Sequence, residues 1–251
     1  MSSKESGIIL VRSRISSPLL TPETFKKWYE EVHIPDVLAT GKVRFALRYR
    51  AVDEEGAAGG LPFLAIYHLD DMSWLHEDDC TFWKIPLHSD ILPEGAATIF
   101  DVAQFDTAFY TTFGYIEAGA FHAGAADISV TAPGDLLRLQ PLDWDRDTDA
   151  DGLAEKLACV DANRRASAPA RSVLYHVDKS RPHPPSFPPK ATVPGERKIL
   201  TIHEMFGGNG FAKAVSDDDK ESAAVVEYKL LSARPIRWDT TKKNPSTVSP
   251  S

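Results

Sequence analysis

Residues 21–41 read TPETFKKWYEEVHIPDVLATG, and this stretch sets the register for everything around it. Thr21 is a natural helix cap and Pro22 suits the first helical position, with Thr24 where a capping box would carry Glu. Phe25, Trp28, Tyr29, Val32 and His33 follow at spacings of three and four. One face of the predicted helix is therefore aromatic and apolar. Pro35 is expected to bend or end the helix, and Gly41 closes the connection.

Working outward, residues 7–15 (GIILVRSRI) are apolar and β-branched and read as a strand. Residues 42–52 (KVRFALRYRAV) alternate, with Val43, Phe45, Leu47 and Tyr49 on one face and Arg44, Arg48 and Arg50 on the other. The loop DEEGAAGG leads to a strand at 62–69 (PFLAIYHL). A second helical region is expected from Asp70–Asp71, carrying Trp74, Leu75, Phe82 and Trp83. A last strand covers roughly 100–116. The order β-α-β-β-α-β is the ferredoxin-like unit.

A Gly/Ala-rich linker at 117–134 precedes a second round of the same order. Strand 135–144, a helix from Asp149 to about Ser167, strands 171–178 and 197–206, a short polar helix at 211–222 and strand 223–233 complete it. LAIYHLDD at 64–71 resembles LTIHEMFGG at 200–208, which suggests an internal duplication. The expected fold is α+β with two tandem ferredoxin-like repeats: 1–118, a linker at 119–134, a diverged second repeat at 135–238 and a polar tail at 239–251. Six prolines at 181–194 (RPHPPSFPPKATVP) read as a loop, and 239–251 as a frayed end.

Composition narrows the function. The chain has 251 residues, 43 % hydrophobic and 25 % charged, ordinary values for a folded protein. A net charge of -8 without a basic run argues against nucleic-acid or anionic-membrane partners. No apolar run reaches the ~18 residues of a spanning helix. The apolar stretch at the start is too short to read as a secretory signal. Two cysteines, Cys80 and Cys159, make no disulfide framework, and both are expected reduced in a cytoplasmic protein.

A ferredoxin-like sheet has helices on one face, and its other face needs cover. A second copy packed face to face would enclose a barrel-like chamber, either within this chain or across a homodimer. Ile9, Val11 and Ile15 then pack on helices, while Leu10, Arg12 and Arg14 face inward. Leu64, Ile66, Leu200 and Ile202 are placed on the helix side. Ala65, Tyr67, Thr201 and His203 are placed in the chamber.

FKKWYEEVHIPDVL at 25–38 resembles the W-Y-x-x-x-H-x-P-x-x-L helix of fungal EthD-like proteins of the dimeric α/β-barrel superfamily. The first half, roughly 7–116, fits in order and length; the second fits only in layout. EKLACVDANRR stands where the histidine would be, with no histidine and no following proline. The resemblance implies the fold and places a single reacting centre in the first half. Members include cofactor-free dehydratases, cyclases, isomerases, decarboxylases and monooxygenases of aromatic and polyketide metabolism, together with proteins of unknown role and haem-binding branches.

The residues themselves support a site near His33. A neutral imidazole can take or give a proton near pH 7, and Tyr29 or Tyr67 can donate to a developing oxyanion. Trp28, Trp74, Phe82 and Trp83 can supply flat apolar walls, with His68 and His203 as further contacts. Arg12, Arg44 and Arg48 can hold a carboxylate or phenolate. The same residues also have plainer readings: His33 as a helix-end histidine bonded to a carbonyl, Trp28 and Tyr29 as core, and the arginines as solvated or ion-paired groups.

His76-Glu77-Asp78-Asp79-Cys80 fits no common zinc spacing, and Gly207-Gly208-Asn209-Gly210 lacks the dinucleotide order. G-x-S-x-G, P-loop and H-E-x-x-H motifs are missing. The expectation is a lyase or isomerase without metal or organic cofactor. It would dehydrate, cyclise or isomerise a small aromatic or polyketide-type secondary metabolite. A cofactor-free monooxygenase and a non-catalytic ligand-binding or stress-response protein are the alternatives.

Overall fold

Among the described residues, nine strands and one long helical segment make up most of the structure. The computed structural model describes residues 5–53, 60–77, 79–117, 120–123, 136–142, 171–177, 199–205 and 226–235. The helices expected at 149–167 and 211–222, the Pro-rich loop and the tail lie outside these residues. The strands are β1 (Gly7–Ile15), β2 (Val43–Ala51), β3 (Phe63–Leu69), β4 (Ala103–Glu117), β5 (Ala120–Ala123), β6 (Leu136–Leu142), β7 (Arg171–Val177), β8 (Ile199–Met205) and β9 (Val226–Pro235). β5 falls inside the stretch expected to be a linker: it pairs with the end of β4, from Gly114↔Ala123 to Glu117↔Ala120.

All the strand pairs are antiparallel. The order β1-β3-β2-β9-β6-β8-β7-β4 returns to β1 through a β1–β4 pairing, so eight strands close a ring within one chain. β2–β9 and β4–β7 join the two halves. The order β4-β1-β3-β2 in the first half recurs as β9-β6-β8-β7 in the second. Closure leaves no free edge among the eight strands.

Side-chain alternation divides the core in two. Ile8, Leu10, Phe45, Leu47, Tyr49, Leu64, Ile66, Leu137, Leu139, Val173, Tyr175, Leu200, Ile202 and Tyr228 fill the inside of the ring. Ile9, Val11, Val43, Ala46, Ala65 and Tyr67 face outward under the first half's helix and loops. Leu64, Ile66, Leu200 and Ile202 therefore point into the barrel, and Ala65 and Tyr67 toward the helix, the reverse of the sequence assignment. Both faces of β3 are buried, so neither face is marked by polarity. In β2 a register shift between Val43 and Phe45 puts Val43 on the helix side and Phe45, Leu47 and Tyr49 inside.

The helical backbone runs from 22 to 39: α1 (Pro22–Lys27), a π-helical stretch (Trp28–His33) and α2 (Ile34–Ala39). The Thr21 hydroxyl accepts the Thr24 amide at 3.1 Å, as the cap reading expects. Pro35 does not end the helix. The wide π turn just before it, with the Ile34 amide reaching the Tyr29 carbonyl, accommodates a residue that has no N–H and crowds the preceding turn. Gly41 closes the segment at φ 69°, in the left-handed region. Phe25, Trp28, Tyr29, Ile34 and Val37 are buried against the sheet. Each large apolar side chain among them contributes about 1.5–3 kcal/mol.

The second helix expected after Asp70 does not form. Three short 3₁₀ turns stand in its place, Met72–His76, Thr81–Lys84 and Ile99–Asp101. Asp71 caps the first by accepting the Ser73 amide at 2.9 Å. Pro86, Pro93 and the left-handed Gly95 (φ 87°) prevent the segment from continuing as a helix. Cys80 is buried in the first half's outer core. Among the described residues no helix is long and apolar enough to cross a membrane.

Candidate functional site

The absence of a long second helix leaves a hollow between the first helical segment and the outer face of the sheet. Its floor is Val11, Tyr67, Phe105 and Thr107, set side by side by the β1–β3–β4 register. Trp28, Tyr29 and His33 form one wall; Phe82, Leu87, Ile99 and Phe100 from the 3₁₀ region form the other. The Ile99 amide bonds the Leu87 carbonyl at 3.0 Å and holds that wall together. About 30 Å³ of the hollow is enclosed, and it is partly open to solvent.

The π turn brings residues five apart into contact. Trp28 and His33 stack with centroids 4.7 Å apart and planes within 9°. Tyr29 and Tyr67 meet the imidazole edge-on, at 5.7 Å and 6.1 Å. His33 Nδ1, the Tyr67 hydroxyl and Trp28 Nε1 are buried with no hydrogen-bond partner. Each such group costs about 1–3 kcal/mol, and the three residues that carry these atoms all line the hollow.

Behind this wall sits Arg48, on the helix-facing side of β2 and only 1 % exposed. Its guanidinium carbon lies 4.1 Å from the Tyr29 ring centre and 5.9 Å from that of Phe25. Glu30 is its nearest carboxylate, at 4.0 Å, and Arg48 Nη1 and Glu30 Oε1 both lack a hydrogen bond. Burial, and then the Arg48 charge, push the His33 imidazole down to about 4, so it is neutral at pH 7. Burial raises both phenols. Arg48 pulls each partly back, and the neighbouring Ser13 hydroxyl does the same for Tyr29. Both remain O–H donors at neutral pH.

Of the residues singled out from the sequence, the structure brings His33, Tyr29, Tyr67, Trp28 and Phe82 to the hollow, with Arg48 one layer behind. It does not bring the others there. Arg12 points into the barrel and pairs with Asp106, its cross-strand neighbour. His68 faces the barrel too and stacks on Phe45 at 4.7 Å, since alternation separates it from Tyr67. Trp74 packs edge-on against Phe82 at 6.3 Å, within the core. Trp83 packs against Phe82 and Phe109, and its indole N–H donates to the Leu75 carbonyl at 3.4 Å. Arg44 is exposed and pairs with Asp70 at 3.5 Å. His203 stands in β8 in register with Arg138 and Ser172, and its side chain is outside the described residues. Glu30, Phe100, Phe105 and Thr107 were missed. Thr107 and Phe105 follow from the pairings Val11↔Thr107 and Ser13↔Phe105, which no local pattern shows.

Among the described residues the inside of the ring, where the chamber was expected, is lined mainly by apolar side chains together with Arg12, Asp106 and His68, and the hollow at His33 lies outside it. Among the described residues no group of three or more His, Cys, Asp and Glu is placed to hold a metal ion.

No family model matches the chain, and no curated protein matches it. Similar solved structures include chlorite dismutase from Candidatus Nitrospira defluvii, in a single-substitution variant (TM-score 0.51, 8 % identity, 92 % of this chain and 93 % of that one). A chlorite dismutase-like protein is similar as well (TM-score 0.50, 10 % identity, 92 % and 96 %). The chain therefore shares the fold of these structures, a curled antiparallel sheet with few helices.

Proposed function

We propose that the chain is an enzyme that moves a proton on a small aromatic or polyketide-type molecule without metal or organic cofactor, in dehydration, cyclisation or isomerisation. The observation that carries this reading is the group of partnerless buried atoms, His33 Nδ1, Tyr67 Oη and Trp28 Nε1, at one partly open apolar hollow. The enclosed volume, about 30 Å³, is far below the ~300–1,000 Å³ typical of ligand pockets, so a ring enters only where the open side and walls of the hollow give way.

In this reading neutral His33 accepts a proton from the substrate while Tyr67 donates to the oxygen that gains charge. With its basicity pushed down to about 4, the imidazolium at pH 7 lies roughly 4 kcal/mol uphill. It therefore returns the proton readily, as loss of a hydroxyl group as water requires. Tyr29 edges the same ring and fixes its plane.

The repeated strand order supports reading 1–118 and 135–238 as two copies, the second diverged and without a counterpart to His33. The test is an untargeted comparison of host metabolite extracts incubated with the protein and with His33→Ala. The wild type should consume one small ring compound, giving a product isomeric with it or lighter by one water. His33→Ala should be at least about a hundredfold slower. Full turnover by His33→Ala overturns the proposal, and oxygen consumption with substrate moves it to the monooxygenase reading.

A further inference from the structure

The fold holds a cation where it has no complete partner. Arg48 is 1 % exposed, and its Nη1 is 4.0 Å from a Glu30 oxygen with a hydrogen bond on neither atom. A pair kept only for stability would close to bonding distance, as Arg12 and Asp106 do on the other face of the sheet. Arg48 instead sits over the Tyr29 ring, and Tyr29 in turn lines the pocket. Arg48 is not itself part of the pocket wall.

We infer that Arg48 makes this pocket selective for the oxyanion form of a hydroxylated or enolisable ring, acting through the Tyr29 and Tyr67 phenols rather than by contact. Arg48 is thus a positioning residue. The ionisable groups around it are Tyr29, Glu30 and His33 on the helical segment and Tyr67 on β3. In surroundings of low dielectric its charge acts on the Tyr29 ring with little screening. A phenol O–H backed by a cation is a stronger donor, and charge-assisted hydrogen bonds to an anion are about twice as strong as neutral ones. The burial-raised phenols do not ionise in competition with the ligand. Glu30, the carboxylate nearest Arg48 among the described residues, is not part of the pocket wall.

The inference rests on the pocket assigned above but not on proton transfer by His33, so the two fail separately. The test is binding, without turnover. 4-Nitrophenol absorbs visibly only as the phenolate, so its ionisation on the protein is read directly. On the wild type its apparent pKa should fall by about one unit or more, a roughly tenfold preference for the anion. Nitrobenzene, the same size without the hydroxyl, should bind at least about tenfold more weakly above the probe's pKa. Arg48→Met should abolish the shift, and Arg48→Lys should keep part of it. An unshifted or raised probe pKa, a failure of the probe to bind the wild type, or an equal shift in Arg48→Met overturns the inference. If Arg48→Met does not fold, the wild-type comparison of the two probes decides it alone.

Discussion

The inner and outer faces of the first four strands hold the same kinds of side chain in different settings. Inside the ring, Arg12 pairs directly with Asp106, and His68 lies against Phe45 among packed aliphatic and aromatic groups. Outside, Arg48 stops 4.0 Å short of Glu30, and His33 keeps a buried nitrogen without a partner beside a hollow. A closed pair amid packed side chains belongs to folding. An open one next to space is arranged for something the chain does not itself contain.

The largest effect expected is on the inner face. Asp106→Ala leaves the part-buried Arg12 charge without its partner and should cost about 3 kcal/mol in urea unfolding. 4-Nitrophenol binding by the folded fraction should stay unchanged. A loss below about 1 kcal/mol would mean that the inner pair is no more committed to folding than the outer one.

His33→Ala comes next, with the rate loss of at least about a hundredfold given above, equivalent to roughly 2.7 kcal/mol. Phe45→Leu, on the other face of the sheet, should leave turnover per folded molecule within about twofold while lowering stability by about 1 kcal/mol. Equal rate losses in the two variants would erase the distinction between the faces.

Stability should also carry the His33 signature. Its pKa is about 4 folded against 6.5 in the unfolded chain, so the unfolded state binds more protons between these values. The contribution is complete above pH 6.5 and is lost as pH falls toward 4, on the order of 2–3 kcal/mol. Urea midpoints at pH 7 and pH 4.5 should differ less in His33→Phe than in the wild type. The same pH dependence in both would show that the ring is not buried neutral.

Tyr67→Phe gives the smallest change in stability, neutral or up to about 1 kcal/mol stabilising, because it removes a buried hydroxyl that has no partner. Thermal melts read it. A destabilisation above about 1 kcal/mol would mean that the hydroxyl is bonded within the folded chain.

What was legible in the sequence follows from how each element is specified. Thr21, Pro22, the aromatic spacing and Gly41 specify the helical segment locally, and the structure shows all of them in the expected roles. The strand limits were legible because β-branched runs are bounded by glycine, proline and charge. The facing of β3 was not: Leu64 and Ile66 meet the barrel, Ala65 and Tyr67 meet the helix, and all are buried, so alternation carries no polarity. The π turn has no local signature beyond Pro35, and it is what stacks Trp28 on His33. Arg48 was picked as one of three equivalent arginines. Its difference from exposed Arg44 comes from the bulge in β2 and the helix laid across the strand, neither of which a single-strand pattern shows. The predicted second helix failed on Pro86, Pro93 and Gly95, and the resulting loops supply a wall of the pocket.

A crystal structure with 4-nitrophenol or a consumed substrate bound tests the central claim most directly. The ring should lie between Trp28–His33 and the floor of Val11, Tyr67 and Thr107, with its oxygen within hydrogen-bond distance of Tyr67 or His33 Nδ1. A ligand seated inside the barrel beside Arg12 and Tyr228, with the outer hollow empty, would contradict it.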